Sequence, residues 1–139
     1  MTPRWPQLAS EADRLEAVRR LRLLDTPHEE RFDRITRLAG TILSVPVALI
    51  SLVDADRQWF KSKLGVQADQ IPRDQSVCGY AIGCDLPGPL AITDATEDDR
   101  FADLPAVRGD THLRSYLGQV LRVDGRGATH ARPSARPAG

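Results

Sequence analysis

Two amphipathic helix patterns in series, followed by a run that is apolar on both alternating faces and leads into a hairpin, predict an α+β fold for this chain. At 139 residues the chain is one domain's worth, long enough for a single core and too short for a sensor joined to an enzyme. The expected layout is a Pro-flanked extension over 1–10, a folded domain over 11–121 and a disordered basic tail over 122–139.

The first helix is expected within "SEADRLEAVRRLRLLD", where Ala12, Leu15, Val18 and Leu21 recur at steps of three and Ser10, with Asp13, can cap the start. The second, "TPHEERFDRITRLAGTILS", carries Thr26 as N-cap, Pro27 at the first helical position and Glu29 to complete a capping box. Its predicted buried face is Phe32, Ile35, Leu38, Ala39, Ile42 and Leu43. "VALISLVD" places Val47, Leu49 and Val53 on one side and Ala48, Ile50 and Leu52 on the other, which predicts a central strand covered on both faces. "DADR" supplies the turn into "QWFKSKLG", a second strand that alternates less regularly. "IPRDQ" then breaks the pattern, "SVCGYAIG" suits a short helix, "PLAITD" a short strand, "EDDRFADLPAV" an acidic or single helical turn, and "LRSYLGQVLRV" a further strand. From Asp124 the chain is rich in Arg, Pro, Gly and Ala without a large apolar residue, so it cannot offset the entropy of ordering.

The formal charge is zero, divided as −3 over residues 1–121 and +3 over residues 122–139. "VPVALISLV" is less than half of the roughly 20 apolar residues needed to span a bilayer, and "MTPRWPQLASEADR" lacks the apolar core of a secretory signal. These features predict a cytoplasmic protein without membrane insertion, in which Cys78 and Cys84 are free thiols. A C-x5-C pair with no nearby His matches no common zinc spacing. Neither "HEERF" nor "THLRS" gives the H-E-x-x-H metal motif, and His28 is better explained by the helix start than by phosphotransfer. The four tail arginines are not interleaved with aromatic residues that could stack a base, so no nucleic-acid partner is expected.

In order along the chain, "LRLLDTPHEERFDRITRLAG", "VPVALISLVDADRQWFKSKLG", "PRDQSVCGYAI", "ITDATEDDRFADLPAV" and "LRSYLG" resemble the GAF domains at the front of bacterial signalling proteins, over residues 15 to 121. The resemblance implies an antiparallel sheet with helices on both faces. It also implies a sensory or regulatory module, of the kind that precedes histidine kinases and diguanylate cyclases, which binds a small molecule or mediates dimer contacts. The chain departs from the family pattern in three places. Cys78-Gly79-Tyr80-Ala81-Ile82 stands where related domains often have Cys-x-His-Ala-Ile, and Arg100-Phe101-Ala102-Asp103-Leu104-Pro105 where they often have Arg-Phe-x-x-Asn-Pro. Beyond Tyr116 the family's last core strand is replaced by "VDGRG" and the polar tail. The last core strand is therefore expected to be missing, the chain being a truncated or frame-disrupted domain with the shift near Gly118–Gly127. Three lost apolar side chains at roughly 1.5–3 kcal/mol each come to about 5–9 kcal/mol, comparable with a whole domain's stability.

The resemblance places a ligand pocket between the sheet and residues 72–105, with Phe60, Cys78, Tyr80, Asp94, Phe101 and Tyr116 as candidate lining residues. No cofactor or metal is implied. Cys78 in "SVCGYA" is similar to the "V-C-G" context of GAF-type free methionine sulfoxide reductases, but that chemistry needs a resolving thiol nearby and Cys84 alone could serve. Gly79 stands where bilin-attaching domains commonly place a histidine. A buried or pocket-lining cysteine is therefore preferred to a catalytic one. The expected partners are a small molecule, a second copy through the first helix ("RLEAVRRLRLLD"), and an output domain or kinase in trans. The alternative to sensing is an interaction-only module or non-functional fragment.

Overall fold

A computed structural model describes residues 5–84, 86–122 and 132–136. Helices α1 (Glu11–Arg20) and α2 (Glu30–Leu43) precede strands β1 (Val47–Val53), β2 (Arg57–Leu64) and β3 (Gln70–Pro72). Helix α3 (Val77–Gly83), β4 (Leu90–Ile92), α4 (Pro105–Arg108), β5 (Tyr116–Gly118) and β6 (Arg132–Arg136) follow, with 3-10 turns at Arg73–Gln75 and Ala95–Glu97. The strands form one antiparallel sheet in the order β3-β2-β1-β6-β5-β4. The α+β class and the antiparallel sheet agree with the sequence reading.

β1 is buried along its whole length, as its two apolar faces require. Its pairing with β2 shifts register between Ile50 and Ser51, where Ser51 faces Phe60 and Ile50 faces Ser62, leaving Lys61 as the extra residue of a bulge. That bulge explains the irregular alternation of "QWFKSKLG". Gln58 and Phe60 join Val47, Leu49 and Ser51 on one face of the sheet. On the other face Leu52 and Trp59 pack with Val18 of α1, and buried Lys61 donates to Thr26 Oγ1 at 2.8 Å and Pro27 O at 2.6 Å and pairs with Glu29 at 2.7 Å. This pairing corrects the capping box: α2 begins at Glu30, and Thr26 and Glu29 bind Lys61 instead.

α2 also turns a different side to the sheet than its apolar stripe predicts. Its buried residues are Thr36 and Gly40. Thr36 Oγ1 lies 2.8 Å from Ser62 Oγ, which donates to Asp33 at 2.6 Å, and a Cβ on Gly40 would come within 2.6 Å of the Leu64 side chain. Close approach through small and hydroxyl side chains fixes this orientation, so Ile35, Leu38, Ile42 and Leu43 are 50%, 56%, 69% and 48% exposed. On α1, Val18 is buried as predicted, Ser10 makes no side-chain cap and Ala12 is exposed; Arg14 is fully buried as well, its guanidinium donating to Val53 O at 2.6 Å and neutralised by Glu11.

β3 occupies the stretch read as a break, and β5 is shorter than predicted. The larger correction concerns the core strand expected to be missing: the place between β1 and β5 holds β6, residues 132–136 of the segment read as a disordered tail. Two facing strand edges offer N–H and C=O groups that any extended backbone can pair with, so this slot needs no apolar sequence to be filled. Pro133, opposite Ile50, brings no N–H to the ladder. Residues 123–131 and 137–139 of the expected tail lie outside the described residues.

Candidate functional site

The face of the sheet carrying Val47, Leu49, Gln58, Phe60 and Tyr116 does not pack directly against a helix along its length. Residues 65–68, 75–78 and 106–113 border it and, with it, line an open-sided cavity of about 670 Å³. Its inner wall is apolar, made of Val47, Leu49, Phe60, Ile71 and Val77, and its rim carries Gln67, Gln75, Asp110 and Thr111, all exposed.

Cys78 enters this wall because Ser76 caps α3, its hydroxyl accepting from Gly79 N at 2.7 Å, which fixes the first turn against the sheet. A Cβ on Gly79 would lie 2.5 Å from Arg73 O, so a larger residue there would push Cys78 away from the sheet. The Cys78 thiol is 2% exposed. Its Sγ lies 3.1 Å from Gln58 Nε2 and 3.2 Å from Tyr116 Oη, and the same Gln58 nitrogen donates to Ser51 Oγ at 2.9 Å. A buried network of hydroxyl, amide, thiol and phenol thus forms the polar part of an otherwise apolar cavity.

The structure divides the six residues singled out from the sequence. Phe60, Cys78 and Tyr116 line the cavity together. Tyr80 and Phe101 lie in a separate aromatic cluster with Trp5, with ring centroids 5.1–5.8 Å apart. Arg100 stacks over both rings, at 5.2 Å from Tyr80 and 4.9 Å from Phe101, and donates to Tyr80 Oη at 3.1 Å. Its guanidinium pKa is raised by its hydrogen bond to Asp98 and then by that to Tyr80. Asp94 is neither in the cavity wall nor in this cluster. It caps the 3-10 turn, accepting from Thr96 N at 2.9 Å, and the Thr96 side-chain and backbone hydrogen bonds lower its pKa. Sequence reading missed Gln58, whose signal was a glutamine two residues before Phe60 in a strand with a buried face.

No helix among the described residues is long and apolar enough to cross a membrane. Among the same residues, no group of three or more His, Cys, Asp and Glu side chains could hold a metal ion.

The family model described as "GAF domain" matches residues 27–128. This chain belongs to the GAF domain family. Against a cyclic di-GMP phosphodiesterase of Pseudomonas aeruginosa, the GAF domain is 39% identical over 120 residues, covering 86% of this chain and 20% of that protein. The chain therefore corresponds to about a fifth of that relative's length. Among solved structures, it is similar to the GAF domain of a phosphoenolpyruvate-protein phosphotransferase from Coxiella burnetii (TM-score 0.61, 10% identity, 91% of this chain and 76% of that one). It is also similar to a free methionine-R-sulfoxide reductase from Neisseria meningitidis (TM-score 0.60, 17% identity, 91% and 72%). At these identities the structural likeness concerns the fold alone.

Proposed function

We propose that this GAF domain is a cytoplasmic sensory or regulatory module that takes a small molecule into the cavity over β1, β2 and β5 and passes its occupancy to an output domain or kinase. The observation that carries the reading is the cavity itself: about 670 Å³, apolar walls, and a few convergent polar groups at Gln58, Cys78 and Tyr116. The phosphodiesterase relative, five times longer than the matched region, supports a role alongside a catalytic output. A thermal-shift screen of uncharged and charged metabolites tests it, with Leu49→Trp as the cavity-filling control. A compound that raises the Tm of the wild type and leaves that of Leu49→Trp unchanged is the expected result. Failure of an apolar dye such as Nile red to enter the wild-type cavity would sink the reading.

Redox catalysis at Cys78 is disfavoured. Cys78 and Cys84 are both free, and six residues apart on and just beyond α3 they are separated by roughly 9 Å along the axis. That exceeds disulfide reach unless the helix unwinds.

A second reading, self-association, is favoured by the stripe of Ile35, Leu38 and Ile42 on α2, exposed and spaced as a heptad seam that matches a second copy of itself. The first helix is less suited to this role, since Val18 of α1 is buried inside the domain and Leu21, just beyond it, packs against the same cluster. Ile42→Glu should lower the mass seen by light scattering without shifting the unfolding midpoint; an unchanged, monomeric mass in both proteins rejects it.

A further inference from the structure

We propose that α3 is a lever between the cavity and the N-terminal strap, residues 5–8, so that an occupant seated beside Cys78 releases the strap and the lead-in to α1. The inference rests on the ligand-binding reading above and adds where the signal leaves the cavity.

α3 is two turns long and is held on three sides. Towards the sheet, Cys78 Sγ meets Gln58 Nε2 of β2 at 3.1 Å and Tyr116 Oη of β5 at 3.2 Å, and Val77 and Cys78 line the cavity at this seam. At the leading end, a Cβ on Gly79 would lie 2.5 Å from Arg73 O, and Arg73 is fastened to Glu11 at 2.6 Å. On the side turned from Cys78, the strap crosses the trailing end: a Cβ on Gly83 would lie 1.6 Å from Pro6 O and 2.4 Å from Pro6 C. Trp5, 8% exposed, stands edge-on to Tyr80 of α3 at 5.6 Å and tilted against Phe101 at 5.8 Å.

These contacts couple the two sides of the helix. Where the strap crosses Gly83, backbone meets backbone, with no flexible side chain between them to absorb a shift. A polar group that takes over Gln58 and Tyr116 displaces Sγ, the atom that joins α3 to both. The leading end is pinned by Arg73 and Glu11, so α3 swings at its trailing end, under Pro6 and Trp5. The strap runs on into α1, where Glu11 N donates to Leu8 O at 3.1 Å, and its release reaches the start of that helix. The occupant thus makes different contacts in the seated and released states, as any ligand-driven change requires.

Methyl methanethiosulfonate supplies the wedge without a ligand: the Cys78 thiolate attacks its sulfenyl sulfur, methanesulfinate leaves, and a methylthio group is added at Sγ. In a Cys84→Ser, Trp59→Phe chain, Cys78 is the one thiol and Trp5 the one tryptophan. Modification, followed by mass spectrometry, should red-shift Trp5 emission and raise its acrylamide quenching at least about twofold. A Cys84→Ser, Trp5→Phe chain reports Trp59, buried on the other face of the sheet, and its emission should hold. Modified Cys78 with Trp5 unmoved overturns the lever. Exposure of Trp59 together with Trp5 overturns it too, since the domain then unfolds rather than pivots. If Cys78 of the folded chain takes up no reagent, the cavity reading itself falls, a result distinct from the other two. In the reverse direction, Trp5→Ala in the Cys84→Ser chain frees the trailing end and should speed Cys78 modification at least about fivefold with Trp59 emission unchanged. An unaltered rate overturns the lever even where the Trp59→Phe chain folds poorly.

Discussion

Glu11 lies between two buried guanidiniums, and its replacement by Gln should show how far this domain depends on one carboxylate. Arg14, fully buried, donates to Glu11 through Nε at 2.8 Å and Nη2 at 2.7 Å, and Arg73, 5% exposed, reaches it through Nη1 at 2.6 Å. The same arginines donate to Val53 O, Asp54 O and Ala55 O, so the triad ties α1 and the 3-10 turn before α3 to the end of β1. Burial by itself would raise the Glu11 pKa; the hydrogen bonds and charges of Arg14 and Arg73 reverse this and bring it from its ordinary 4.5 to about 2. That difference corresponds to about 3 kcal/mol of stability at neutral pH. Because the folded value is the lower one, the contribution is complete above pH 4.5 and is lost as the pH falls towards 2. A second route gives a similar size: removing one partner of a buried ion pair costs about 3–5 kcal/mol, because the remaining charges stay desolvated. Urea unfolding followed by circular dichroism, at pH 7 and at steps from pH 5 to 2, measures both. Glu11→Gln should lose about 3 kcal/mol at pH 7 and show a correspondingly shallower loss in acid than the wild type. Equal stability at pH 7, or parallel acid profiles, would refute the reasoning.

Three other outcomes are expected. A Cβ on Gly83 would lie 1.6 Å from Pro6 O, so Gly83→Ala should lift the N-terminal strap off α3 at a cost of about 1–3 kcal/mol and red-shift Trp5 emission in a Trp59→Phe background; unchanged emission counts against this packing. Lys61→Met leaves Pro27 O and the Thr26 hydroxyl without their buried donor and should destabilise by about 1–3 kcal/mol in urea titrations, a neutral result denying Lys61 its anchoring role. Pro133→Val returns an N–H to the strand between β1 and β5 and should stabilise by about 1 kcal/mol, whereas a loss of stability would argue that this position is not in the ladder.

Part of the site was legible along the chain and part was hidden by geometry. Phe60, Cys78 and Tyr116 line one cavity, whereas Tyr80, Phe101 and Asp94 lie elsewhere. Tyr80 could have been excluded at the start: two residues beyond Cys78 on a helix, it points to roughly the opposite side, where it meets Trp5 and Phe101. Gln58 could not be ranked in advance, because a strand glutamine reads as solvent-facing until a covering loop closes over it.

The sequence by itself determined the two early helices, the doubly apolar β1, the hairpin and the short helix at Cys78, because each rests on local periodicity or turn chemistry. Tertiary structure alone decided which side of α2 meets the sheet, which residues share the cavity and what fills the place beside β1. Those outcomes depend on close approach between distant segments: Gly40 against Leu64, Thr36 against Ser62, and a strand from residues 132–136 against an open edge. Small side chains and bare backbone make such contacts, and neither leaves a hydrophobic pattern to read.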